Sequence, residues 1–158
     1  MRTTMRRYLS PILLAWLLAG CGHAFQTATP PGFVELEDQE SYGYDWRATT
    51  ADGLVVAVRD IANEPKGPLE FWTRAIENSL RQRGGYALLG RRDVKNAQGL
   101  TGVELRFGHD EAQKPHLYTV TIFVTDSHIY LLEAGGSKEQ MEANAKELAR
   151  WVQGFSGK

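Results

Sequence analysis

The sequence has little cysteine: among 158 residues there is one, Cys21. A single cysteine excludes a disulfide within the chain, and it excludes structural zinc sites built from several thiolates. If Cys21 is itself modified, no free thiol remains. The hydrophobic core must therefore be sufficient without a covalent cross-link.

A strong excess of one charge is also absent. From Cys21 onward the chain carries 15 basic and 19 acidic residues, which is a mild acidic excess. Nucleic-acid-binding domains usually present clustered lysine and arginine, so the sequence predicts no nucleic-acid partner.

Known catalytic and cofactor motifs are missing as well. The sequence contains no nucleophile elbow, phosphate-binding loop, dinucleotide glycine pattern or His-Glu-x-x-His zinc motif. Asp126, Ser127 and His128 come nearest to a catalytic triad, but adjacent strand residues point to opposite faces of a sheet. We therefore predict no enzymatic activity and no cofactor.

The first 20 residues have the pattern of a secretory signal. Three arginines and no acidic residue precede an apolar run from Tyr8 to Leu18. The run is too short to span a bilayer, which takes about 20 apolar residues. A buried core helix is the alternative, and Pro11 within the run disfavours it.

Leu18-Ala19-Gly20-Cys21 resembles the lipobox of bacterial lipoproteins at every position. The resemblance implies that the thiol of Cys21 receives a diacylglycerol, that the signal is cut after Gly20, and that the new amine of Cys21 is often acylated too, as with palmitate. Two or more acyl chains make a stable membrane anchor. The next residue is Gly22. Some families use Asp at this position to retain lipoproteins at the inner membrane. The expected location is therefore the outer membrane, facing the periplasm.

Residues 21–32 are expected to be the lipidated cysteine and a flexible spacer. This stretch lacks periodicity and ends in Pro30-Pro31-Gly32. Residues 33–158 are then of a length that suits one domain.

Periodicity predicts the element order β-β-β-α-β-β-β-β-α in that domain. The predicted strands are Phe33–Glu37, Tyr42–Thr50, Leu54–Ile61, Tyr86–Val94, Thr101–Gly108, His116–Thr125 and His128–Ala134. One helix begins at Pro68 and stops at Gly84-Gly85, and a second follows a capping box formed by Ser137 and Gln140. Short connections between strands indicate antiparallel pairing, so we predict an α+β fold in which helices cover an antiparallel sheet.

Several short motifs in this order resemble the PsbP-like superfamily. They are Pro31-Gly32-Phe33, Asp52-Gly53 before a strand ending at Arg59, Phe71-Trp72, and Glu133-Ala134-Gly135 before the last helix. The superfamily includes an extrinsic photosystem II subunit, a eukaryotic nuclear-import factor and bacterial lipoproteins of the DcrB and LpqN types. The resemblance covers residues 31–155. It implies a central antiparallel sheet sandwiched by helices, and a non-catalytic module that binds a protein or stabilises an assembly.

Two groups of residues are candidate sites. Tyr42, Tyr44 and Trp46 have period-two spacing beside an acidic stretch and form a possible partner surface, because aromatic residues concentrate interface energy. Alternatively, they pack beneath a helix. His109 to Glu111 and His116 have side chains that bind divalent metals. Their spacing matches no known signature, and we favour a solvated loop without metal.

The sequence therefore favours a membrane-tethered, non-catalytic interaction or assembly module of the cell envelope, with an envelope protein as its partner. The alternative is a lipoprotein that binds a small apolar or lipid ligand between sheet and helix. A solid core without a deep pocket disfavours this alternative, whereas a closed apolar cavity of several hundred Å3 would favour it.

Overall fold

The computed structural model describes residues 23–37 and 43–158. The predicted signal peptide, the cleavage position after Gly20, the lipidation site Cys21 and the aromatic Tyr42 lie outside the described residues. Among the residues described, no helix is both long enough and apolar enough to cross a membrane.

Nine strands and three helices make up the described fold. The strands are β1 (Phe25–Gln26), β2 (Val34–Glu35), β3 (Trp46–Thr49), β4 (Val55–Ala62), β5 (Ala87–Lys95), β6 (Thr101–Glu111), β7 (Lys114–Val124), β8 (His128–Ser137) and β9 (Ser156–Gly157). The helices are α1 (Leu69–Arg83), α2 (Lys138–Ala143) and α3 (Ala145–Gly154). Seven strands form one antiparallel sheet in the order β2-β3-β4-β8-β7-β6-β5, and β1 pairs with β9 alone. The predicted α+β class with an antiparallel sheet is confirmed.

The sheet divides the hydrophobic core into two layers, because successive strand residues face opposite sides. On β7, Val120 and Ile122 belong to the layer beneath α1, whereas Leu117 and Phe123 belong to the layer beneath α2 and α3. The period-two pattern of apolar residues along the β7 sequence therefore matches the two layers, and the helices sandwich the sheet as expected.

Helix α1 covers one face through the apolar stripe that the sequence predicts. Leu69, Trp72, Ile76 and Leu80 pack on the first layer. The indole of Trp72 also donates a 2.8 Å hydrogen bond to Oδ1 of Asn63, a buried side chain in the loop before the helix. This bond positions the start of α1 against the end of β4.

The last helical stretch differs from the prediction of one helix. The capping box of Ser137 and Gln140 is present and begins α2, as predicted. At Asn144 the backbone leaves helical geometry (φ −97°, ψ 9°), and its side chain donates to the carbonyl of Gln140. Asparagine competes for backbone hydrogen bonds in this way, so the stretch breaks into α2 and α3.

The N-terminal segment also differs from the prediction, because residues 23–32 are not a free spacer. Phe25 is 6% exposed and packs 5.9 Å from the ring of Phe155, while β1 pairs with β9. The indole of Trp151 donates to the hydroxyl of Thr27 at 2.8 Å. The first strand therefore begins at Phe25, eight residues before the predicted boundary at residue 33. The sequence did not predict this strand, because one isolated aromatic residue gives no periodic signal.

Candidate functional site

A groove of about 480 Å3 lies between the α2–α3 pair and the sheet. Strands β6 and β7 are each 11 residues long, whereas α2 and α3 have six and ten residues. The helices therefore leave part of the β5–β6–β7 surface uncovered on this face. Pockets of roughly 300–1,000 Å3 are the size that binds small ligands.

One wall of the groove is apolar and comes from the helices. Met141, Ala145, Leu148, Ala149 and Val152 line it. Those on α3 recur at intervals of three and four residues and so share one helix face. Two of them are alanines, and their small side chains leave the space that larger residues would fill.

The floor of the groove comes from the strands and is mixed: Leu117, Leu132 and Ala134 are apolar, and two threonines are polar. Thr119 and Thr121 alternate on β7, and both line the groove. Thr121 is only 1% exposed, and among the described residues its hydroxyl has no hydrogen-bond partner. Among the described residues, the fully buried side-chain atoms without a partner are Nε of Arg59 and Nδ2 of Asn96, so the Thr121 oxygen is open to the groove.

The charged side chains at the groove differ in how they are paired. Arg92 binds Glu104 through two hydrogen bonds of 2.8 and 2.9 Å, and this contact raises the pKa of the arginine. Arg91 borders the groove, but its guanidinium pairs with Glu70 of α1 at 2.5 Å, on the opposite face of the sheet. Arg106 is exposed, and within the described part of the chain it has neither an ion pair nor a hydrogen bond. The groove therefore contains one arginine whose charge no described side chain compensates.

A second polar cluster lies on the opposite face of the sheet. The buried carboxylate of Glu133 contacts Nε of Arg59 at 3.0 Å and accepts a 3.1 Å hydrogen bond from the hydroxyl of Tyr44. Arg59 also lies 4.1 Å from the centre of the Tyr44 ring. The hydroxyl of Tyr118 is beside the same carboxylate, and burial followed by the charge of Glu133 raises its pKa. Glu133 and Tyr44 are hydrogen-bonded to each other, whereas the contact of Arg59 Nε with Glu133 is an ion pair without hydrogen-bond geometry. The mutual contacts indicate a structural cluster.

The aromatic residues predicted as a partner surface do not share one face. Tyr44 precedes β3 and turns towards Glu133, whereas Trp46 stacks on Trp151 of α3 with ring centres 6.0 Å apart. Period-two spacing applies only within a strand, and β3 begins at Trp46. Both side chains are half-buried, so packing occupies much of their surface. A role in partner binding stays a prediction, and Tyr42 lies outside the described residues.

The histidines and acids considered for metal binding lie on the β6–β7 hairpin. His109 pairs with His116 across the strands, and Nε2 of His116 is 3.7 Å from the carboxylate of Glu111. In the part of the chain that is described, no three histidine, cysteine, aspartate or glutamate side chains are grouped closely enough to hold a metal. His128 contacts Asp60 at 2.6 Å.

The sequence interpretation offered a ligand site between sheet and helix as its alternative, but it did not predict which residues line the groove. Its signals were present: Thr119 and Thr121 are polar positions facing a helix, and alanine recurs in the apolar stripe of α3. Neither signal says how much of the sheet a helix leaves uncovered. That depends on the break at Asn144 and on the relative lengths of strands and helices.

No protein-family model and no curated protein sequence matches the chain. Solved structures do resemble it. LpqN of Mycobacterium tuberculosis has a TM-score of 0.65 and 10% identity over 84% of this chain and 82% of LpqN. The Ran-binding protein Mog1p of Saccharomyces cerevisiae has a TM-score of 0.58 and 13% identity, covering 85% and 90% of the two chains. Cyanobacterial PsbP of Synechocystis sp. PCC 6803 has a TM-score of 0.53 and 13% identity, covering 88% and 96%. The chain therefore has the fold of PsbP and Mog1.

Proposed function

We propose that the protein is a lipid-anchored, non-catalytic interaction module of the bacterial cell envelope. In this proposal Cys21 carries the acyl chains, the anchor sits in the outer membrane facing the periplasm, and the domain docks an envelope protein or stabilises an assembly. The observation that carries the proposal is the position of Cys21 at the end of a lipobox-like motif, four residues before the buried Phe25. A lipid on Cys21 would hold the folded domain directly at the membrane.

The structural neighbours support an envelope role without specifying it. LpqN is described as involved in cell envelope biogenesis, and Mog1p as a Ran-binding protein. Transferred to this chain, those descriptions favour binding over catalysis. The internal pairing of Glu133 with Arg59 and Tyr44 agrees with this, because it leaves the carboxylate committed to structure.

The anchor is tested by metabolic labelling of cells with radioactive palmitate. We expect label on the parent protein, and we expect Cys21→Ser to lose it and to accumulate as uncleaved precursor. Gly22→Ser is the matched control, since it changes the adjacent residue and keeps the thiol. Normal labelling of Cys21→Ser would refute the anchor.

The partner is tested by crosslinking in the intact envelope. Photoreactive residues at half-buried positions would disturb packing, so we choose exposed ones, Glu35 and Glu37 near the aromatic segment, with Arg83 on α1 as the distant control. One defined protein captured from the first two positions and not from Arg83 supports docking there. Identical capture from all three positions counts against a specific surface at this segment.

The groove favours a second candidate function, the binding of a small amphipathic ligand. Its volume, its apolar helix wall and its partly polar sheet floor are the features that ligand pockets combine. This candidate is compatible with the first, because the groove and the anchor involve different residues.

A further inference from the structure

We propose that the groove between α2–α3 and the sheet binds a single-chain amphiphile with one anionic head group, a carboxylate or a phosphate. The alkyl chain lies along the helix wall, and Arg106 binds the head group. The inference rests on the second candidate function and makes it specific. It does not depend on the lipid anchor at Cys21.

The two sides of the groove suit the two parts of such a ligand. The α2–α3 wall offers methyl and methylene groups from Met141, Leu148 and Val152, with alanines between them. An alkyl chain placed there leaves water and gains apolar contact. The sheet side offers hydroxyl and guanidinium groups, which an alkyl chain cannot satisfy. A ligand that is apolar throughout would therefore bury polar groups without partners.

The charges at the groove select an anion. Three arginines and two glutamates line it. Arg91 and Arg92 are paired with Glu70 and Glu104, and Glu142 lies 4.0 Å from Lys138 on its own helix. Arg106 remains as the cation that no described residue neutralises. A guanidinium binds carboxylate and phosphate through two parallel hydrogen bonds, which suits either head group.

The neighbours of Arg106 leave room for that head group. On one side the register places Gly90 of β5 opposite Arg106, and nothing lies within 4 Å of the position that a Cβ of this glycine would occupy. On the other side Thr119 of β7 is its register partner. Directly paired residues of antiparallel strands have Cβ atoms about 5 Å apart, so the Thr119 hydroxyl and Arg106 can contact one anion.

Thr121 offers a second hydroxyl to the groove. It lies two residues beyond Thr119 on the same face of β7, opposite Glu104, and it makes no hydrogen bond within the described residues. Its oxygen is not one of the fully buried side-chain atoms that lack a partner, so it is open to a ligand in the groove. A polar atom of the ligand or a water beside its head group would bond to it.

Ligand binding can be measured with the full-length Cys21→Ser chain, which receives no acyl group of its own at that residue. Myristate, myristyl phosphate and myristyl alcohol have the same chain length and differ in head group. Titration below their micelle concentrations is followed by calorimetry and by tryptophan fluorescence, because Trp151 lines the groove. We expect both anions to bind at least about ten-fold more tightly than the alcohol, since a charge-assisted contact is worth that much. A preference between the two anions identifies the head group.

Three variants make the test specific. Arg106→Gln should weaken both anions about ten-fold and leave the alcohol within about two-fold. Ala149→Leu should fill the groove and weaken all three probes, with circular dichroism confirming that the variant is folded. Arg83→Gln, which removes a charge from α1 on the other face, should change nothing.

The proposal is overturned if no probe binds up to its solubility limit. It is equally overturned if the alcohol binds as tightly as the anions, or if Arg106→Gln and Arg83→Gln behave alike. None of these results affects palmitate labelling of Cys21, so failure of the groove proposal and failure of the anchor are distinguishable.

Discussion

Three tyrosine hydroxyls of this protein are held in surroundings that disfavour their ionised form. Burial is the first cause of the raised pKa of Tyr44, Tyr118 and Tyr130, and the charge of Glu133 adds to it for the first two. Unfolding exposes each phenol to water and returns its pKa to about 10.0. Above that pH the unfolded chain releases protons that the folded chain retains, so stability falls as pH rises.

Tyr118→Phe should therefore make stability less sensitive to alkaline pH. A single retained proton makes the free energy of unfolding fall by about 1.4 kcal/mol per pH unit above pH 10. The variant keeps the ring and removes the proton. Urea denaturation between pH 8 and pH 11 should show a shallower loss of stability than in the parent.

Tyr86→Phe is the control for this prediction. Tyr86 packs on the rings of Phe107 and Tyr118, but its hydroxyl makes no hydrogen bond within the described residues. If both variants lose stability with pH as steeply as the parent does, the Tyr118 hydroxyl is not the group that titrates.

Among the secondary-structure elements, the short strand β1 tests where the domain begins. β1 has two residues, yet its Phe25 closes an aromatic layer with Tyr130 and Phe155. The hydroxyl of Tyr130 donates to the carbonyl of Ala24, and the amide of Lys158 donates to the same carbonyl. These contacts fix both β1 and β9 to the main sheet.

Phe25→Ala should destabilise the protein by about 3 kcal/mol, as expected for a buried phenylalanine replaced by alanine. The measurement is urea denaturation of the Cys21→Ser chain. Gln26→Ala, on the exposed side of the same strand, should cost less than about 0.5 kcal/mol. If the two substitutions had equally small effects, the result would contradict a structural role for Phe25 and would support the flexible spacer that the sequence predicted.

Most elements could be predicted because their signals are local and repeated. The stripe of α1 repeats over four turns, and the alternation on β7 from Tyr118 to Val124 repeats over one strand face. The helix break at Asn144, the strand β1 and the groove could not be predicted in this way. Each depends on a single residue or on contacts between distant segments, such as Phe25 with Phe155.

For the whole molecule, the short distance from anchor to core fixes how the domain would sit on a membrane. Four residues separate Cys21 from Phe25, a span of at most about 14 Å when extended. The end of the sheet that carries β1 would therefore face the bilayer. The tip of the β6–β7 hairpin lies at the opposite end, about 30 Å along the strands from Phe123, the register partner of Tyr130.

Fluorescent labels can test this orientation, because a protein acylated at Cys21 as proposed would have no other thiol. Gln98→Cys lies in the β5–β6 turn near the anchored end, and Ala112→Cys lies at the hairpin tip. Energy transfer to acceptors in the bilayer should be stronger from position 98 than from position 112. Insertion of a 20-residue Gly-Ser linker after Gly22 should remove the difference. Equal transfer without the linker would contradict a fixed orientation.

The pairing of β1 with β9 also sets the order in which the chain can finish folding. Phe25 and Gly157 are register partners from near opposite ends of the sequence, and Phe155 follows α3 directly. Closing so large a loop costs conformational entropy, and this cost is offset only when the contacts between its two ends form. In a protein exported from its N-terminus, the anchor residue would reach the membrane first. The aromatic layer beside it would then remain incomplete until α3 had crossed the membrane.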